Sequence, residues 1–261
     1  MRAVGVHEDV VVVTSRVWQT TCTLVRSGEE AFAIDSPVYP DELELLPAVA
    51  EQARFAVKGR LATHADWDHL LGGYAFPNAS LGCAETTAAR LTAEPGAAQR
   101  ELREFDQRHY VERLRPLSIS AAQALPVPGY CSVGERELEL HSAEGHTADG
   151  MAVWVPWAEV LVCGDYLSPV EIPTISSGGS LDGYAATLER LGPLVERAQA
   201  VVPGHGAALS REEALDVLAQ DRDYLEALRG DGPAAPLPEG RSGTAQRAIH
   251  AANAAVVGGA G

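Results

Sequence analysis

The sequence predicts an α/β fold in which two mixed β-sheets carry outer helices. Three observations point there. Apolar runs of strand length fall in two groups, one before residue 64 and one between residues 127 and 163, and helical segments follow each group. The stretch from Ala31 to Thr63 reads strand, helix, strand, the unit that lays two strands parallel. The 261 residues, 46% of them apolar, suffice for one large core.

Val10–Val13, Thr23–Arg26 and Ala31–Ile34 read as strands, the last running into Asp35-Ser36-Pro37. From Pro40 to Arg54, Leu43, Leu46, Val49 and Ala53 recur on one helical face, and Phe55–Thr63 returns to a strand. Leu70–Phe76 and Glu85–Ala93 read as short helices. Pro95 and Gly96 then break the chain before a charged, exposed helix over Ala97–Arg113. Val127–Tyr130 and Arg136–His141 are strands about a turn at Gly134, followed by Met151–Val155 and Val160–Cys163. Leu181, Tyr184, Leu188, Leu191 and Val195 form the apolar stripe of an amphipathic helix, and Ala200–Val202 is a short buried strand. Ser210 with Glu213 is a capping box that opens a helix to Arg229, with Gly230 as its stop. Asp231–Gly243, rich in Pro and Gly, reads as a strap before a last helix over Thr244–Val257. The expected organisation is one domain over residues 1–230, with a helical cap-like insertion over about 85–116, and then the strap and C-terminal helix over 231–261.

The chain has 36 acidic and 20 basic side chains, a formal charge of −16. That balance disfavours a phosphate backbone and a polybasic membrane contact. No apolar run approaches the ~20 residues that span a bilayer. The N-terminal MRAVGVHEDVVVV sets an acidic pair before its apolar stretch, unlike a secretory signal. The expectation is a cytoplasmic protein with a small-molecule substrate and neither nucleic acid nor membrane as partner; a homo-oligomer is compatible with the sequence. Cys22, Cys83, Cys131 and Cys163 form no CxxC pair, which removes the zinc-ribbon and thioredoxin readings and leaves free thiols of a reducing compartment.

The chemistry concentrates in Thr63-His64-Ala65-Asp66-Trp67-Asp68-His69. His64, Asp66 and Asp68 alternate, so an extended segment projects them to one side. His69 opens the helix that follows. A polar, solvated loop explains one such Asp and His but not four metal-ligating side chains within six positions. Three further pieces each set a ligand-type residue beside glycine just after an apolar strand: Glu144-Gly145-His146-Thr147, Cys163-Gly164-Asp165-Tyr166 and Pro203-Gly204-His205-Gly206. Taken singly, each is as well explained by a core histidine or a turn.

The ordered set HxDxDH, GH, GD, GHG resembles the metallo-β-lactamase-fold hydrolase superfamily from His64 to His205, with Ala31–Asp35 similar to its upstream strand ending in Asp. The resemblance implies an αββα four-layer sandwich and a site for two divalent metal ions. By it, His64, Asp66 and His146 hold one ion, Asp68, His69 and His205 hold the second, and Asp165 bridges them. The implied reaction is hydrolysis of a small ester, thioester, lactone or lactam by a metal-bound hydroxide. Asp68 then orients the nucleophile, and Tyr166 either donates to the substrate oxygen or packs around the site. Asp35 either orients a ligand histidine or caps its strand.

Asp66 departs from the family motif HxHxDH. With zinc as the usual ion, a third carboxylate shifts preference toward harder ions such as iron or manganese. Three carboxylates and one hydroxide neutralise two divalent ions, where the usual site retains one positive charge. Two alternatives stay open: a diiron oxidoreductase, because flavodiiron proteins resemble this fold with an acidic residue at the same position, and a non-catalytic binding descendant. In Gln99–Arg115, five arginines interleaved with acids read either as a cap that supplies a cation to an anionic substrate or as a solvated helix.

Overall fold

The computed structural model describes residues 1–119 and 122–259. It contains two mixed sheets. The first has the spatial order β1 (Arg2–His7), β2 (Val10–Thr14), β3 (Thr21–Ser27), β4 (Glu30–Asp35), β5 (Val57–Ala62), β6 (Ser80–Ala84), β7 (Gln123–Leu125). Its strands are antiparallel from β1 to β4 and parallel from β4 to β7. The second sheet is built from β8 (Gly129–Val133), β9 (Arg136–Ser142), β10 (Met151–Val155), β11 (Val160–Val162), β12 (Ala200–Val202) and β13 (Leu209–Ser210), in the order β13-β12-β11-β10-β9-β8. Its one parallel pair is β11 with β12.

Side-chain alternation assigns each face. Met151, Val153 and Val155 of β10 join Val160, Val162 and Val202 in the core between the sheets, where Val10, Val12, Val25, Ile34 and Leu61 meet them from the first sheet. Ala152, Trp154, Leu161 and Val201 point the other way. There they pack under α5 (Leu181–Arg197) and α6 (Arg211–Asp231) through Leu188, Leu191, Val195, Leu218 and Leu225. On the opposite flank, α1 (Pro40–Gln52) covers Val13 and Leu24 with Leu46 and Ala50. The layers are therefore helix, sheet, sheet, helix. The central strands are buried on both faces, which is why they read as unbroken apolar runs.

The remaining helices are α2 (Gly72–Ala75), α3 (Glu85–Ala93), α4 (Ala97–His109) and α7 (Thr244–Gly258). α4 ends four residues before the expected Arg113, because Tyr110 turns left-handed at φ 54°. Arg113 folds back instead to pair Asp106 at 2.8 Å and the Val38 carbonyl at 3.1 Å. α6 runs through Gly230 and stops at Gly232, whose φ of 55° and ψ of −123° suit only glycine. The strap after it is pinned by buried Arg241, which donates to Asp221 at 2.6 Å and to the carbonyls of Ser168 and Glu171 at 3.1 and 2.9 Å. No helix among the described residues is long and apolar enough to cross a membrane.

Candidate metal centre

Four strand ends converge at one edge of the sandwich. β5 delivers Thr63 and His64, then a short 3-10 turn over Trp67–His69. β9 leads into the loop carrying His146, β11 into Gly164-Asp165, and β12 into Gly204-His205. The two sheets are stitched together at this edge. Met151 N donates to Thr63 O at 2.8 Å, and Thr21 N donates to Gly204 O at 2.8 Å. The β2–β3 tip also leans on His205: Gly206 N donates to Gln19 O at 2.9 Å, and Thr21 Oγ1 to Pro203 O at 2.7 Å. Buried Glu42 of α1 holds that tip, accepting from Ser15 Oγ at 2.6 Å and Arg16 N at 2.9 Å.

All seven side chains singled out in the sequence meet here. His64, Asp66 and His146 form one group, Asp68, His69 and His205 a second, and His64, His69 and Asp165 a third that overlaps both; within each, the ligand atoms lie within 4.8 Å of one another. Asp165 is central. Its Oδ1 lies 3.1 Å from His69 Nε2, and its Oδ2 lies 3.3 Å from both His146 Nε2 and His205 Nε2 and 3.7 Å from His64 Nε2. Asp66 Oδ2 stands 3.6 Å from His64 Nε2 and 3.5 Å from His146 Nε2. Asp68 Oδ2 stands 3.7 Å from His69 Nε2 and 3.5 Å from His205 Nε2.

Each imidazole is oriented from its far side. His146 Nδ1 donates to Thr174 O at 2.7 Å and His205 Nδ1 to Trp18 O at 3.2 Å. His69 Nδ1 lies 3.0 Å from Asp35 Oδ2. Asp35 also accepts from Thr63 N at 2.8 Å and from Thr63 Oγ1 at 2.9 Å, and that hydroxyl oxygen lies 3.1 Å from His64 Nδ1. With Nδ1 bonded to a carbonyl, the tautomer that turns a lone pair on Nε2 toward the centre is favoured on His146 and His205, whereas His69 Nδ1 contacts Asp35 without a hydrogen bond. Asp35 thus stands beside the His69 ring and holds Thr63, from a left-handed backbone with φ 59°. Ser36 supports the same turn, donating to Asp68 O at 3.2 Å and accepting from Leu71 N at 3.0 Å.

The donor set suits cations. Buried His64 Nε2, His69 Nε2, His146 Nε2 and Asp165 Oδ1 have no hydrogen-bond partner among the described residues, although orphaned buried polar atoms are costly. Burial opposes charge on His146, but Asp66 and Asp165 outweigh it and hold the imidazole up to about 9. Burial likewise opposes charge on His205, and Asp165 foremost raises it to about 10. Asp165 itself is buried, yet His205, His69 and His64 keep its carboxyl well below the usual carboxylate range. The cluster thus holds positive charge with protons alone, and a metal ion would displace them. Four histidines and three carboxylates around overlapping centres match nitrogen- and oxygen-liganded divalent ions.

Of the two parts expected for Tyr166, its contacts fit packing around the site. It is 2% exposed, its hydroxyl accepts from His146 N at 3.0 Å and donates to Ala143 O at 3.3 Å, and its ring packs on Tyr184. It braces the His146 loop. Thr147 is also committed to the backbone, donating to Asp149 O at 2.9 Å. Sequence reasoning missed two nearby groups. Arg90 of α3 lies 2.9 Å through Nη1 from Asp66 Oδ1 and bonds Asp149 Oδ1 at 2.9 Å. Glu171 lines a small cavity with Asp165, His205 and Asp221; burial pushes its carboxyl above the usual range, against the pull of His205. Only a cation-seeking Asp66 hinted at the first, and nothing in the motif pattern marked the second. A cleft of about 430 Å³ between α3 and α4 adjoins the centre through Ala65 and Arg90.

The profile of the metallo-β-lactamase superfamily matches residues 15–205, and the chain belongs to that superfamily. No curated protein sequence matches it. Among solved structures, a metallo-β-lactamase from Pontibacter korlensis is similar at 20% identity and TM-score 0.63, over 84% of this chain and 97% of that one. A metallo-β-lactamase family protein from Thermus thermophilus is similar at 20% identity and TM-score 0.65, over 90% and 86%. A sec-alkyl sulfatase variant reaches TM-score 0.71 at 14% identity, over 88% of this chain and 42% of the sulfatase. At such identities the likeness is one of fold.

Proposed function

We propose that this protein is a hydrolase that works with two divalent metal ions and acts on a small ester, thioester, lactone or lactam. The carrying observation is the convergence of seven ligand-type side chains from both sheets, three of them with buried, unpartnered Nε2 atoms. In this reading His64, Asp66 and His146 would hold one ion, Asp68, His69 and His205 the other, and Asp165 would serve both. The ions would supply Lewis acidity, making water nucleophilic at neutral pH and polarising the substrate's oxygen.

The chain's own residues do the rest. Asp68, with a side chain 9% exposed, would orient the attacking water as well as bind. Asp35, Thr174 and Trp18, through the contacts above, keep His69, His146 and His205 in the orientation that binding needs. Asp66 has the most exposed side chain of the seven, at 24%, so the centre opens on its side. The cleft floored by Ala65 and Arg90 is there to take the remainder of a substrate.

Elemental analysis of protein purified without added metal tests the reading, joined to turnover assays on esters, thioesters, lactones, lactams and alkyl sulfates. About two ions per chain and hydrolysis of one class are expected. Protein that stays metal-free and inactive after reconstitution with zinc, manganese and iron would sink it. Bound iron with oxygen consumption and no hydrolysis would instead support the diiron oxidoreductase, which the third carboxylate favours.

A further inference from the structure

The two oxygens of Asp66 face opposite ways. Oδ2 points at His64 Nε2 and His146 Nε2, at 3.6 and 3.5 Å, while Oδ1 lies 2.9 Å from Arg90 Nη1. Arg90 is itself held. The same Nη1 donates to Asp149 Oδ1 at 2.9 Å, and Asp149, its side chain 1% exposed, accepts from Ala65 N at 2.9 Å through Oδ2. Ala65 sits between His64 and Asp66 in the chain. A closed circuit therefore runs from the motif backbone through Asp149 and Arg90 to the Asp66 carboxylate.

An aspartate is shorter than a histidine and has two equivalent oxygens. Left alone it could swing away, turn both oxygens inward, or be repelled by Asp165, whose Oδ2 lies 3.7 Å from the same His64 Nε2. An ion pair with a guanidinium that Asp149 holds in place by a hydrogen bond restrains these options. Arg90 has a third carboxylate beside it, since Nε lies 3.6 Å from Glu94 Oε2. It is therefore poorly placed to bind an anionic substrate.

We propose that Arg90, buttressed by Asp149, is the positioning residue that makes aspartate workable at position 66, by occupying Oδ1 and presenting Oδ2 as a one-oxygen ligand to the first ion. This rests on the two-ion reading above. It makes Asp66 and Arg90 a matched pair in which a histidine at 66 has no use for the arginine.

The test compares wild type, Arg90→Met/Asp149→Asn, Asp66→His, and the triple variant combining all three changes. Removing Arg90 and Asp149 together leaves neither member of that buried pair without the other, and circular dichroism checks that the fold is retained. Chelator competition with zinc, and the absorption of bound cobalt(II), give the affinity of each ion without any substrate. The expected result is that Arg90→Met/Asp149→Asn weakens one of the two ions by about 10- to 100-fold and leaves the other unchanged. That loss should vanish when the same pair of changes is made on Asp66→His. Unchanged or tighter binding in Arg90→Met/Asp149→Asn overturns the inference, because Arg90 would then be idle or a competitor for the ligand. An equal loss in both backgrounds also overturns it, as a general structural effect. Wild-type protein binding fewer than two ions overturns the two-ion reading and this inference together, whereas wild type with two ions and an idle Arg90 sinks the inference alone.

Discussion

Gly204 stands so close to Asp165 that a Cβ added at 204 would lie 2.1 Å from Asp165 Oδ1 and 3.0 Å from His69 Cε1. The glycine is required by this approach of backbone to ligand, and its φ is not in the left-handed region. Gly204→Ala should therefore displace two ligands at once. We expect loss of most bound metal and a destabilisation of about 1–3 kcal/mol from overpacking. Metal content per chain and urea unfolding measure both; full metal content in Gly204→Ala would contradict the geometry.

Asp165 and His69 face each other across 3.1 Å at the middle of the cluster. Asp165→Ala and His69→Ala should each abolish hydrolysis and lower bound metal, with rate losses of at least about 100-fold. Turnover near the wild-type rate in either variant would defeat the mechanism.

Tyr166→Phe separates bracing from catalysis. Its hydroxyl is spent on His146 N and Ala143 O, so its loss should cost about 0.5–1.5 kcal/mol of stability and less than about tenfold in rate. A donor to the substrate's oxyanion would cost about 100- to 1,000-fold. The kcat of Tyr166→Phe decides between them.

The metal-free protein should lose stability as pH rises. His146 and His205 titrate at about 9 and about 10 when folded, above the ~6.5 of an unfolded histidine. The stability they contribute is complete below about pH 6.5 and disappears as pH climbs through those folded values. Bound metal inverts the slope, because it needs neutral imidazoles and binds better as pH rises. Melting temperatures from about pH 6 to about pH 10, with and without chelator, should diverge, and metal loading at about pH 7 should release protons. Parallel melting curves would refute this.

The site was legible because its chemistry sits in short strings at strand ends, where spacing alone carries the pattern. The four-layer fold was legible for a related reason: strands such as Met151–Val155 and Val160–Val162 are apolar throughout. Strands without that mark went unread. β1 is an exposed edge, β6 is built of small residues in SLGCA, and β7 is three residues long. Arg90 was hidden because nothing in a nine-residue helix tells whether its one arginine turns inward; that depends on how α3 settles over the His64–His69 turn. Gly232 displaced Gly230 as the end of α6 because stopping a helix depends on backbone conformation, which residue type only permits.

The candidate ligands come from opposite halves of the polypeptide. Residues 64 to 69 follow a strand of the first sheet, and 146, 165 and 205 follow strands of the second. A cation seated among them would act as a rivet through the sandwich, so that shedding the ion and parting the sheets become linked equilibria. A bound ion would then add its binding free energy to the stability of the fold.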